Sequence, residues 1–372
     1  MRGLGVFGAL GVDADTLPCR EHLIVDGMMV RSAFVPLREP RFEPQRHAYA
    51  HQVLVRVNAF SCNYRDKGFF RDLHRLPGNR CRVIGSEFAG IVMAVGARVT
   101  HVRVGDRVIG QNAYHRLSPA DAASPAGLPT NSASRELLVL HERKVAVLPE
   151  CMSSTDAAAF SVGAQTAFSM MRRAQVHPGA LALVTSATSN TSLSLIAALR
   201  LAGVRVIAAT ASTGCEARLS SLGAEAVVST EQLGDACRAR GELAFVFDPF
   251  FDLHLERSVE LLAPFGTYVT CGFAGQNDAT RASVGAAVNA ESVMRHAIVK
   301  NLVIIGNCLG AAGDLTDALG AWLQGRMPVV IDSVHRGDDA PAFLARTFVD
   351  RRRFGKVVFS YEADVTAGTA LA

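Results

Sequence analysis

The chain has 372 residues, eight cysteines and a formal net charge of +4. The length suits two domains, and so small a charge leaves no electrostatic footprint for nucleic acid. No apolar run is long enough to cross a bilayer. The cysteines form no CxxC pair and have no histidine cluster beside them, which fits neither a structural zinc nor a disulfide framework, so reduced, buried thiols in a cytoplasmic protein are expected.

In chain order, residues 3–12 are apolar but glycine-rich and lack a small-residue cleavage site, so residues 1–22 read as a loose N-terminal tail. Residues 53–58, VLVRVN, suit a half-buried strand, and residues 91–108 give short strands broken at Gly96 and Gly105, the punctuation of a small barrel. Residues 114–131, rich in Ser, Pro, Ala and Gly, read as a long loop that could cover a cleft. A helix is expected over residues 155–171, capped by Ser153 or Ser154. Five apolar, β-branched runs follow, at residues 181–184, 204–209, 226–228, 244–248 and 267–271, with amphipathic stretches between them such as 216–222 and 253–262. Strands that alternate with helices in this way build an open parallel sheet covered on both faces. Residues 302–305 would be a sixth strand or an exposed edge, able to pair with a second subunit as a homodimer. Residues 314–323 are helical, Arg351, Arg352 and Arg353 read as a solvated helix face, and residues 355–360 return to strand and are assigned to the N-terminal unit.

The first βαβ unit carries the chemistry. In dinucleotide-binding folds its loop holds a diphosphate against a helix N-terminus and is rich in glycine. Here Ser186, Ser189 and Ser192 stand three apart with no glycine among them, and Asn190 and Thr191 complete the loop. The hydroxyls can donate to phosphate oxygens. Equally, Ser189 to Ser192 is an ordinary helix N-cap.

Together these segments resemble the medium-chain dehydrogenase/reductase superfamily and, within it, the zinc-free quinone oxidoreductase and enoyl reductase branch. The resemblance spans residues 23–361 and rests on the order and spacing of NYRD (63–66), GSEFAG (85–90), VGDRV (104–108), GAQTAF (163–168), LVTSATSNTS (183–192), LGAEAVV (222–228), LLAPFGTYV (261–269) and GKVV (355–358). It implies an α/β chain with a GroES-like β-barrel catalytic domain, residues 23–155 and 326–372, around a Rossmann domain, residues 156–325. The active site would lie in the cleft between them. Where zinc alcohol dehydrogenases carry their ligands, this chain has Asn63, Ser86 and Val162, and residues 111–134 lack the four-cysteine lobe. An amide, a hydroxyl and an isopropyl group cannot replace thiolate and imidazole, so no zinc is expected.

The resemblance further implies hydride transfer from NADPH to a small-molecule substrate with a conjugated C=C bond or a quinone. Tyr64 would be proton donor, oxyanion partner or cleft wall, and Asn63 a contact to the nicotinamide ribose. Thr166, Gly272, Phe273 and Lys356 would lie near the nicotinamide. The second Rossmann strand ends at Thr210 and Ser212 with no acid for the ribose 2′-hydroxyl, which favours NADPH over NADH. Arg218 would read the 2′-phosphate or lie solvated on its helix. Because the loop is altered, a cofactor-poor relative with a binding or redox-neutral role stays open beside the reductase.

Overall fold

Residues 181–184 are all apolar and fully buried, and they lie at the centre of a six-stranded parallel sheet. In the computed structural model, which describes residues 1–7, 22–75, 80–113, 132–275 and 288–362, seventeen strands and nine helices are seen among the described residues. The strands are β1 Arg2–Phe7, β2 His22–Val25, β3 Met28–Pro36, β4 Gln52–Ser61, β5 Cys81–Val83, β6 Glu87–Val95, β7 Arg107–Gly110, β8 Leu137–His141, β9 Val145–Val147, β10 Leu181–Val184, β11 Arg205–Ala209, β12 Ala226–Val228, β13 Leu243–Asp248, β14 Thr267–Thr270, β15 Val303–Gly306, β16 Ile331–His335 and β17 Lys356–Ser360. The helices are α1 Lys67–Arg75, α2 Ser154–Ala174, α3 Asn190–Leu201, α4 Glu216–Leu222, α5 Leu233–Arg240, α6 Phe251–Leu261, α7 Ala290–Lys300, α8 Ala312–Leu323 and α9 Ala340–Phe348.

The parallel sheet runs β12-β11-β10-β13-β14-β15, the doubly wound order in which the chain reverses direction between β10 and β13. Leu183, Val184, Val206, Val246 and Phe247 are fully buried, as strands covered on both faces require. Loops leaving β10 and β13 splay apart at the reversal and open a crevice at the carboxyl ends of the strands. β15 closes one edge through its pairing with β14.

The second sheet has seven strands, β16-β17-β4-β6-β7-β9 with β8 also on β4, and β17 returns from the far end of the chain to pair antiparallel with β4. Helix α2, capped by Ser153, packs on strands of this sheet and on α3 and α8, so it joins the two halves.

The N-terminus corrects one expectation. Residues 2–7 are not a loose tail but the strand β1, paired antiparallel with both β3 and β5 in a four-stranded sheet, with Leu4 and Val6 fully buried. Its glycines are sites of close approach: a Cβ on Gly5 would come within 2.7 Å of the Cys81 sulfur. Residues 8–21 and the proposed cleft loop at 114–131 lie outside the described residues.

Candidate active site

The serine loop between β10 and α3 is held by its own side chains. Ser189 caps α3, its Oγ accepting from the Ser192 amide at 3.3 Å and donating to Ser192 Oγ at 3.0 Å. Ser192 Oγ donates in turn to the Thr185 carbonyl at 2.8 Å, and the residue is fully buried. Ser192 is therefore no phosphate ligand, because its hydroxyl is spent inside the turn. Ser186 adopts φ +45°, the backbone conformation for which a glycine would be the unstrained choice, and shares a 3.0 Å hydrogen bond with His254 Nε2 on α6. The Asn190 side chain donates to the Ala159 carbonyl of α2 at 3.2 Å. This approach requires Gly163, where a Cβ would meet the Asn190 amide nitrogen at 2.5 Å. At the start of α3, the Asn190 and Thr191 amides have no intrahelical acceptor.

Two cavities adjoin along this loop. The inner one, about 300 Å³, is lined by Asn63, Tyr64, Thr166, Ser189, Asn190 and Thr191 on one side and by Phe250, Gly272, Phe273, Arg353 and Lys356 on the other. The outer groove, about 670 Å³, is lined by Ser186, Ser189, Thr210 and Ser212. Tyr64, Ser189, Phe250 and Arg353 line both.

Of the residues singled out from sequence, Tyr64, Asn63, Thr166, Ser189, Asn190, Thr191, Gly272, Phe273 and Lys356 meet at the inner cavity, and Ser186, Thr210 and Ser212 at the groove. Arg218 lines neither, because its guanidinium lies 3.7 Å from the centre of the Phe354 ring. A planar cation on an aromatic face is a stable alternative to solvent. Arg353 is no solvated helix face either; it follows α9 in an irregular segment and turns into the cleft.

Tyr64 begins a short 3₁₀ turn at the end of β4, fixed by the Asn63 amide donating to Asp66 Oδ2 at 2.8 Å. Its ring packs 5.0 Å from Phe250, with Lys67 Nζ 4.2 Å from its centre. Phe250 is positioned by Asp248, fully buried at the end of β13. That carboxylate accepts from Thr185 Oγ1 at 2.6 Å, the Phe250 amide at 2.9 Å and the Tyr268 hydroxyl at 2.5 Å. Burial and the Asp248 charge push the Tyr268 phenol well above its ordinary range. Asp252 accepts from the Ala274 and Gly275 amides at 2.7 Å each and fixes the turn after Phe273.

Behind the inner cavity lies a buried ion pair between Lys356 and Glu87, which are 1% and 0% exposed. Lys356 Nζ also donates to Asn63 Oδ1 at 2.6 Å, and Asn63 Nδ2 donates to Glu87 Oε2 at 3.0 Å. The Val162 amide gives Glu87 a 2.7 Å bond. So Asn63 and Val162, two of the positions that match zinc ligands, are tied to a carboxylate already neutralised by an ammonium. The third, Ser86, donates its hydroxyl to Asp66. The described residues contain no group of three His, Cys, Asp or Glu side chains that could hold a metal ion.

Three cysteines, Cys62, Cys271 and Cys308, also face the inner cavity. Burial raises all three thiols, and Cys271 is pushed up to about 12 with the Asp248 charge adding to the effect. They are kept protonated and line the wall as small apolar groups. Nothing in the residue pattern marks Cys271, Cys308 or Phe250, because their role depends on where separate strands end; Glu87 lies within the GSEFAG motif, but its pairing with Lys356 does not show in it.

Comparison with known proteins agrees with this geometry. Residues 49–150 match the alcohol dehydrogenase GroES-like domain. The chain is 30% identical over 338 residues to quinone oxidoreductase-like protein 2 of Bos taurus, covering 85% of this chain and 86% of that one. The chain belongs to the medium-chain dehydrogenase/reductase superfamily. Among solved structures it is similar to an NAD-dependent alcohol dehydrogenase, with a TM-score of 0.74 at 24% identity over 97% of this chain and 100% of the other. It is similar as well to the quinone oxidoreductase of Thermus thermophilus, whose complex with NADPH is known, with a TM-score of 0.65 at 25% identity over 89% and 96% of the two chains. A superfamily oxidoreductase with a Rossmann unit implies a nicotinamide cofactor.

Proposed function

We propose that this oxidoreductase uses NADPH without zinc to reduce an activated C=C bond or a quinone. The observation that carries the proposal is the inward turn of the serine hydroxyls. Because Ser192 and Ser189 bond within the cap, the altered loop still leaves open space on either side of Ser189 and the first amides of α3 at its edge. The residues fit a dinucleotide that spans the groove and the inner cavity. Bound there, the cofactor supplies a hydride. The chain's own part is to orient and to stabilise charge. Asn63, locked by Lys356 and Glu87, offers a fixed amide, and Thr166, Gly272 and Phe273 form the wall that would seat the nicotinamide. Reduction builds negative charge on the substrate oxygen. Among the described residues the inner cavity is lined by no carboxylate and by Arg65, Arg353 and Lys356; Lys356 is balanced by Glu87 behind it, so the preorganised field of the required sign comes from the two arginines. Tyr64 is within the same wall and is the proton donor proposed for that oxygen. The segment that ends β11, Ala209 to Ser212, carries no acid for a ribose 2′-hydroxyl, which supports NADPH over NADH.

Fluorescence titration with NADPH and NADH, followed by turnover of a naphthoquinone and an enone with and without a chelator, tests the reading. Expected are saturable binding, tighter for NADPH, and turnover indifferent to the chelator. No binding of either nucleotide would favour the redox-neutral alternative, and loss of turnover on chelation would overturn the metal-free chemistry.

The proposal includes a homodimer formed across β15. Val303 and Ile304 on that edge are 50% and 42% exposed, and Ile298 and Val299 of α7 beside them are 71% and 80% exposed. Among the described residues β15 pairs only with β14, and an apolar edge of this kind invites another strand. Sedimentation should give a dimer that Ile304→Lys converts to monomer; a monomeric wild type would contradict the proposal.

A further inference from the structure

Arg353 lines both the inner cavity and the outer groove, as Ser189 does, whereas Thr210 and Ser212 line the groove alone. Among the described residues its guanidinium has no hydrogen-bonded or ion-paired acceptor, and its Cζ lies 5.9 Å from the centre of the Tyr64 ring. The carboxylate whose field reaches it, Asp332, is already occupied by the fork of Arg346, at 2.6 and 2.7 Å, and by the Phe354 amide at 2.9 Å. Burial draws the Arg353 guanidinium below its ordinary range, as expected of a cation held against an apolar wall without a counter-ion. Its place is nonetheless fixed. The Phe354 ring is stacked under Arg218, and the Gly355 amide donates to the Thr188 carbonyl of the serine loop at 3.3 Å. An arginine held in position without an acceptor is prepared for an anion that arrives from outside.

We propose that Arg353 is the anchor for the cofactor's diphosphate, contributed across the cleft by the segment before β17, and that it supplies the attraction which a glycine loop would otherwise provide through close backbone approach. The junction between the two cavities is where the diphosphate of a dinucleotide falls, with the nicotinamide half inward and the adenosine half outward. A 2′-phosphate would instead lie outward, beside Thr210 and Ser212. This role for Arg353 rests on the nucleotide reading of the cleft.

The test is binding, measured by fluorescence and calorimetry on wild type, Arg353→Met and Arg353→Lys with NADPH and NADH, alongside thermal unfolding without nucleotide. Loss of a charge-assisted, bidentate contact corresponds to about a ten- to hundredfold weakening. Arg353→Met should weaken both nucleotides by the same factor, Arg353→Lys should fall between, and the unliganded melting temperature should stay level or rise because an uncompensated cation is removed. Weakening of NADPH alone would assign Arg353 to the 2′-phosphate and overturn the proposal. Unchanged binding of both would overturn it while leaving the reductase reading intact. A wild type that binds neither nucleotide would remove that reading and this assignment with it.

Discussion

Replacing Lys356 with methionine should lower stability by about 3–5 kcal/mol, the cost of leaving a buried charge without its partner. Lys356 and Glu87 are both fully buried, and Glu87 would keep its bonds from Ser61, Asn63, Ser161 and the Val162 amide but lose its ammonium partner. Those neutral donors cannot replace an ammonium in a medium of low dielectric. Chemical denaturation at neutral pH reads the effect. The double variant Lys356→Met with Glu87→Leu should recover most of the loss, since replacing both members of a buried pair by apolar groups is often neutral. A loss below about 1 kcal/mol in the single variant would mean that the pair is solvated rather than buried.

Ser189→Asp should weaken NADPH binding about a hundredfold and leave stability nearly unchanged. The two halves of that expectation come from different physics. Aspartate is as good an N-cap as serine, so α3 keeps its start, where Ser189 now accepts from the Ser192 amide at 3.3 Å. At the same time the new carboxylate would stand at the junction of the two cavities, both of which Ser189 lines. Repulsion of about 3 kcal/mol from a phosphate charge ~6 Å away, at an effective dielectric of ~20, corresponds to about a hundredfold loss of affinity. Unchanged affinity in a well-folded variant would show that the phosphates bind elsewhere.

What is legible in the chain follows from how each part is stabilised. The Rossmann strands read well because parallel strands buried on both faces must be continuous apolar runs, as at β10 and β13. The capping part of the serine loop also reads well, since capping is local: Ser189 caps α3, as its hydrogen bonds display. β1 escapes a sequence reading because Gly3 and Gly5 look like a flexible tail, yet they are the places where Leu37 and Cys81 pack against the strand. Arg353 escapes it for a different reason. In a run of three arginines, nothing local separates the one that reaches the inner cavity from its more exposed neighbours, and the distinction appears only when β17 pairs with β4. The Glu87–Lys356 pair joins residues far apart in the chain, so no spacing rule could reveal it.

A nicotinamide dinucleotide along the serine loop, with its diphosphate between α3 and Arg353, is the proposal from which the others follow. A crystal structure of the NADPH complex tests it most directly. The diphosphate should lie within hydrogen-bonding distance of the Asn190 or Thr191 amide and of the Arg353 guanidinium, with the nicotinamide against Gly272 and Phe273. A nucleotide bound away from Ser189, or a cleft that stays closed by its own side chains at saturating NADPH, would contradict it.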